Sequence, residues 1–472
     1  MRTLTKMLIL VVLISGSSGL SILATLGLET NTTELNQIKG FSSNILLSTL
    51  DTKYPEHVEP TLTIGHSDEI FVGWKEALQP TSAGVDVSFT KSGDQGKTWS
   101  EPVSMPNNVR NGASKSDPWL YAYGDQIYYS YLEYSNTTDP NQFSQITMAR
   151  SNDGITWQTS KASNNKQFAD KETFIISPEG EIFLFYDDIN IQSGLGVVSM
   201  SKSTDGGKTF PYEVQVSDVS NDDILSPYSA LSSNNSLFVA WLKVTDSINI
   251  NGDVFYDSSS NKGVSFHIDK DLNQESEYGA YGNENLPWKF TMPVIKFDSH
   301  DRLYILWNEL QTTWKLYLRY SDDFGGSWSS KIPININPNT HQWQGDMDID
   351  GNDTLHIAWL EEENGQYRPY YRSFSFTGDN RFTMQESAII PIADKFTPVS
   401  FIRPGDYLTI RADSNNIPHV VWTDGRSRNL DIYYSNGLQD SLSPTNTPGY
   451  SYVVLVIALF IGLKKKRDKK II

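Results

Sequence analysis

Cysteine is absent from the 472-residue chain, which excludes a disulfide scaffold and any site built on thiolates. Basic residues are scarce as well: 38 Lys and Arg against 56 Asp and Glu leave a formal net charge of -18. An acidic surface repels phosphate, so nucleic acid is not an expected partner. The seven histidines, His57, His66, His267, His300, His341, His356 and His419, show no metal-ligand spacing. Missing too are the strings of a serine-hydrolase elbow, a zinc-protease helix, a phosphate-binding loop and a dinucleotide fold. With 12% aromatic residues, the chain can nevertheless bury a large core.

Both ends differ from the body. Arg2 and Lys6, the apolar run from Met7 to Ile14 and the small residues from Ser15 to Gly19 follow the order of a secretory signal peptide, expected over residues 1–28. At the other end, a Ser/Thr/Pro linker over 439–450 leads into an apolar stretch over 451–463. A basic tail over 464–472 follows, containing Lys464, Lys465, Lys466, Arg467, Lys469 and Lys470. Such a cluster stays on the cytoplasmic side. The apolar stretch is short for a span, which needs about 20 residues. Pro448, Gly449 and Tyr450 before it resemble the tripartite archaeal C-terminal sorting signals, which imply cleavage and a lipid anchor. Single-pass anchoring is the alternative. The expected location is therefore the extracellular face of the membrane, held through the C-terminus. The exported part carries 30 basic and 55 acidic residues, which favours cationic partners. Sequons at Asn31, Asn136, Asn234 and Asn352 suit surface glycosylation.

A five-residue apolar phrase ending in an aromatic recurs seven times: IFVGW to Trp74, IYYSY to Tyr131, IFLFY to Tyr186, LFVAW to Trp241, LYILW to Trp307, LHIAW to Trp359 and PHVVW to Trp422. A polar turn and a shorter apolar strand precede each phrase, so every unit opens with a hairpin. Downstream comes a second turn signal. It reads Ser92, Asp94, Gly96, Trp99 in the first unit, Ser203, Asp205, Gly207, Phe210 in the third and Ser321, Asp323, Gly325, Trp328 in the fifth. Asp153 with Trp157, and Asn261 with Phe266, mark two weaker copies.

These copies resemble the S-x-D-x-G-x-x-W pattern of the Asp-box, or bacterial neuraminidase repeat, of sialidase-like β-propellers. The resemblance covers roughly residues 56–437. It implies an all-β propeller of four-stranded blades, with the box as a structural fastener rather than a catalytic element. Seven repeats favour seven blades over residues 56–438, and the six blades of sialidase-family enzymes are the alternative. The seventh unit ends at Tyr433, Tyr434 and Ser435 one strand short. Asn44 to Thr49, within an N-terminal segment over 29–55, is expected to supply that strand and close the ring.

Two positions after the core aromatics stand Glu76, Glu133, Asp188, Lys243, Glu309, Glu361 and Asp424. The loops entering the innermost strands add Glu59, Asp117, Glu172, Asp346 and Asp406. In a propeller these positions surround one mouth. An acidic mouth suits a divalent cation, a cationic group or a neutral sugar, and oxygen-only ligands favour calcium, although no cofactor is required. The acids from Asp346 to Asp353 do not form an EF-hand-like loop on the repeat alignment, because they divide between a strand and a turn. Glycan hydrolysis needs two carboxylates about 5 to 10 Å apart, for which Glu76, Glu133, Asp188, Glu309 and Glu361 are the candidates. Glu59, Asp117, Glu172, Asp346, Asp406, Asp424 and Arg426 are candidates for ligand binding. Trp119, Trp288, Trp314 and Trp343 could stack on sugar rings, core packing being the competing reading.

The resemblance would also imply an arginine triad led by a Phe-Arg-Ile-Pro-like string in the first unit. The nearest string, Phe401, Ile402, Arg403 and Pro404, precedes the last unit instead. The first expectation is therefore a surface-anchored propeller that binds an extracellular glycan or surface-layer component without cleaving it. A glycoside hydrolase, exo-sialidase-like or acting on neutral glycans with paired acids, is the second. A purely structural envelope component is the third.

Overall fold

A computed structural model describes residues 38–439 except 49–53, 80–83, 136–142, 164–167, 191, 219–222, 247–250, 273–291, 311, 378–382, 399–403 and 428. The signal-peptide region, the linker beyond Gln439, the apolar stretch, the basic tail, Trp288 and Arg403 lie outside the described residues. Seven antiparallel sheets form a seven-bladed propeller, and the described elements are all strands. Blade 1 shows the plan: Glu56–Ile64 innermost, then Ile70–Ala77, Gly84–Ser92 and the short outer Val103–Ser104. The innermost strands of blades 2 to 7 are Ser114–Tyr123, Phe168–Ile176, Asp223–Leu231, Val294–Phe297, His341–Ile349 and Thr409–Ala412.

Each repeated phrase is the second strand of its blade. That strand is covered on both faces by neighbouring blades, so it reads as continuous apolar sequence rather than alternating. Trp74, Trp241, Trp307, Trp359 and Trp422 are all buried. Blade contact is close enough to require Gly73, where a Cβ would collide with the Tyr129 hydroxyl of blade 2.

Ring closure follows the expected route with a longer closing segment. The final strand, Asp431–Gln439, pairs with Ile38–Phe41 and then with Ile45–Leu46. Only the second lies in the segment expected from sequence. The first begins six residues before Asn44, where the chain re-enters pairing at Gln439 and Leu438.

Two further devices join the blades. The five turns at Ser92, Ser151, Ser203, Ser259 and Ser321 share one hydrogen-bond plan. In blade 1, Gly96 N–H donates to Ser92 Oγ at 2.9 Å, while Thr98 N–H and Lys97 N–H donate to Asp94 Oδ1 at 2.8 and 3.1 Å. Hydrogen bonds from Thr98 hold the Asp94 carboxyl down at about 2. The aromatic closing the turn packs on the preceding blade, as Trp157 does on Phe89, with ring centroids 5.0 Å apart. On the hairpin turns, Asp68, Asp301, Asp353 and Asn416 adopt left-handed φ of 60 to 63°, a region Asp and Asn tolerate. Each accepts a backbone N–H from the preceding blade's turn: Ser414, Ser233, Ser299 and Gly351 respectively.

Innermost strands do not pair with one another, which leaves backbone donors facing the axis. Side chains take them up. Thr61 accepts Leu120 N–H, Thr63 accepts Ala122 N–H, Asp346 accepts Ile410 N–H and Asp348 accepts Ala412 N–H, at 3.0 to 3.1 Å.

Candidate functional site

Near the start of the innermost strands the register breaks in blades 1, 2, 3, 4 and 6. Each break is a bulge holding a non-glycine residue at left-handed φ: Glu59 (57°), Asp117 (50°), Lys171 (53°), Ser226 (61°) and Gln344 (48°). In blade 7, Gly405 (86°) precedes Asp406. Left-handed Lys, Glu or Gln costs roughly 1–3 kcal/mol per position, so this ring of bulges is retained against a local penalty.

The bulges turn polar side chains onto the axis. Lys75 Nζ donates to Glu59 at 2.5 Å, and Lys171 forms an ion pair with Asp406. Burial raises the Glu59 carboxyl to about 7, against the opposing pull of Lys75. Asp117 is raised by burial, which outweighs the lowering by Lys171. Glu172 is raised well above the carboxylate range by burial and then by Asp117. Both its oxygens are buried without a hydrogen-bond partner among the described residues. The structure thus gathers Glu59, Asp117, Glu172 and Asp406 at one end of the axis, with two lysines the sequence reading did not single out. Their signals were present: Lys75 breaks the apolar run straight after Trp74, and Lys171 sits between Asp170 and Glu172.

The acids after the core aromatics occupy other surroundings. Indole N–H groups donate from Trp307 to Glu309 (2.9 Å), from Trp359 to Glu361 (2.8 Å) and from Trp422 to Asp424 (3.0 Å). Residues two apart on a strand share a face, so each acid meets the aromatic it follows. Glu309 also accepts from Lys331, Glu361 from Asn335, and Asp424 from Arg426 and Thr397. Glu133 is fully buried and accepts from Asn107, Asn108 N–H, Val109 N–H and Thr147. Glu76 accepts from Ser88, and Asp188 from Ser199 at 3.4 Å. Arg426 additionally pairs with Asp394 at 2.5 Å and donates to Asn44, tying the closing segment to blades 6 and 7.

Asp346 to Ile349 lies on the innermost strand of blade 6 and Asp350 to Asp353 on the following turn. The acids there take separate partners: Asp346 meets Arg411 at 2.7 Å, Asp348 meets Lys296 at 3.0 Å, and Asp350 meets His356 at 3.1 Å. Asp298, His300 and Asp353 come close enough to share a cation. Their oxygens already accept from Tyr304, Arg302 N–H and Ser299, which makes the group part of the turn clasp.

Trp314 and Trp343 are core residues with 1% exposure. Trp119 is buried as well, but on the axis. It forms edge-to-face contacts with Tyr407 (5.9 Å) and Tyr228 (5.4 Å). These rings lie between the carboxylate ring and a cavity of about 220 Å³ lined by Trp119, Tyr121, Tyr228, Lys296, Asp348 and Arg411, among others.

No family model matches the chain, and a search of curated proteins finds no match. Among solved structures, an ulvan lyase of polysaccharide lyase family PL25, bound to a GlcA–Rha3S repeat, superposes with a TM-score of 0.52 at 11% identity. The match covers 84% of this chain and 95% of that one. An α-L-arabinofuranosidase from Fusarium graminearum with an iminosugar inhibitor gives 0.48 at 16% identity, over 68% and 92%. A leech intramolecular trans-sialidase gives 0.45 at 13%, over 84% and 70%. At these identities the likeness is one of fold: an architecture shared with a polysaccharide lyase.

Proposed function

We propose that this protein is an exported, surface-anchored propeller that binds an extracellular glycan or envelope component at the end of the axis where the innermost strands begin. The observation that carries the reading is the ring of left-handed bulges. Strain repeated at one level of the axis, with a buried, unpartnered Glu172 inside it, supports a site kept for recognition. A solvated, purely structural channel would not need it. The acids after the core aromatics support binding over cleavage, because their oxygens are engaged by indole, amide, lysine or hydroxyl donors. The five turns fit Asp-boxes serving as fasteners.

One observation favours hydrolysis as a second reading. Glu59, raised to about 7, has the protonation a general acid needs, beside an Asp406 carboxylate paired with Lys171. The test presents the full chain with immobilised glycans and a panel of chromogenic glycosides that includes a sialoside. Glycan binding without turnover, weakened at least tenfold in Asp117→Asn, is expected. Turnover abolished by Glu59→Gln would replace the binding reading with the hydrolase one. A folded protein that binds and cleaves nothing would refute both.

A further inference from the structure

The cavity beyond the aromatic rings belongs to a second axial level, distinct from the ring of bulges. Its lining comes from two successive layers of the innermost strands. Trp119, Thr173 and Tyr228 lie opposite the residue preceding the core aromatic of their own blades. Two positions further along stand Thr63, Tyr121, Ile175, Lys296, Asp348 and Arg411, alternate residues of one strand facing the same way.

The polar groups here divide into two sets. Two cations and two anions cancel: Arg411 with Asp346 and Lys296 with Asp348. Three donors have no hydrogen-bond partner among the described residues: the Tyr121 hydroxyl, the Tyr228 hydroxyl and the Trp119 indole N–H. Lys296 and Arg411 keep further N–H groups beyond the bonds to their aspartates. Aromatic faces supply the remaining wall. At roughly 30 Å³ per water, 220 Å³ holds about seven waters, close to the volume of one sugar ring. An anion would meet cations already neutralised, and a purely apolar ligand would strand three donors.

We propose that this cavity is a second binding site, taking one neutral, hydroxyl-rich ring of monosaccharide size. The aromatic rings pack against its C–H face, while Tyr121, Tyr228, Trp119 and the outward donors of Lys296 and Arg411 meet its hydroxyls. Asp348 accepts from them. This site is independent of the glycan reading at the other end of the axis.

The test is calorimetry and ligand-observed NMR on the full chain with glucose, galactose, mannose and arabinose, using glucuronate and inorganic phosphate as charged comparators. At least one neutral sugar is expected to bind at roughly millimolar concentration or below. Tyr121→Phe and Tyr228→Phe should each weaken it by about five- to tenfold. Neither variant removes a hydrogen bond within the protein, so the fold should persist. Asp117→Asn should leave this affinity unchanged, which separates failure here from failure at the ring of bulges. Three results would overturn the proposal: no neutral sugar bound, glucuronate or phosphate bound in preference, or binding that responds to Asp117→Asn but not to either tyrosine variant.

Discussion

Glu59 offers a direct measure of whether the axial ring is as dry as its geometry implies. Its carboxyl is fully buried beside Lys75, and burial carries it from its ordinary 4.5 to about 7. Below pH 4.5 the group is protonated in folded and unfolded chains alike and costs nothing. Between pH 4.5 and 7 the unfolded chain releases its proton first, so stability falls as pH rises. Above about pH 7 the loss is complete. At about 1.4 kcal/mol per pH unit, the span from 4.5 to about 7 amounts to about 3 kcal/mol. Glu59→Gln cannot titrate, and the lost partner of Lys75 enters as an offset. The unfolding free energy of the variant minus that of the wild type should therefore rise by about 3 kcal/mol between pH 4.5 and 7.5. Urea unfolding followed by tryptophan fluorescence at several pH values provides the difference. A difference constant to within about 1 kcal/mol would show that water reaches Glu59, and the reasoning from burial would fall.

Two further outcomes concern the paired groups. Arg411→Met leaves Asp346 buried with backbone Ile410 N–H as its remaining partner. It should lower the unfolding free energy by about 3–5 kcal/mol, and a drop under about 1 kcal/mol would mean that the pair behaves like a solvated one. Glu361→Ala strands the Trp359 indole and the Asn335 amide, so urea unfolding should register a loss of about 2–3 kcal/mol with glycan binding retained. Stability intact and binding lost would make Glu361 a ligand contact instead.

Much of the architecture was legible because it is written in periodic, local chemistry. A strand covered on both faces must be apolar throughout, so the seven phrases from IFVGW to PHVVW marked the second strands. Turns need Asp, Asn, Gly or Ser whatever surrounds them, so the hairpin and fastener turns were marked as well. The missing outer strand at Tyr433 to Ser435 called for an N-terminal partner, although only part of the closing segment was apolar enough to show itself. His356 and His419 share a column for the same local reason: each bonds a tyrosine of the next strand, Tyr371 and Tyr434, at 2.7 Å.

The sites depended on what sequence spacing does not encode. Spacing alone shows that acids recur two residues after the core aromatics, and a strand sets such acids on the indole's own face. There Glu309, Glu361 and Asp424 accept its N–H. The axial groups come from different blades, Lys171 of blade 3 meeting Asp406 of blade 7 and Asp346 of blade 6 meeting Arg411 of blade 7. Only the packing of the blades around one axis brings them within reach. By itself, the sequence determined the repeat, the blade and the fasteners, because propensity, burial pattern and turn chemistry act over a few residues. The tertiary structure alone decided which carboxylates are dry, which cations neutralise them and where the axis stays open, because each depends on partners supplied by another blade.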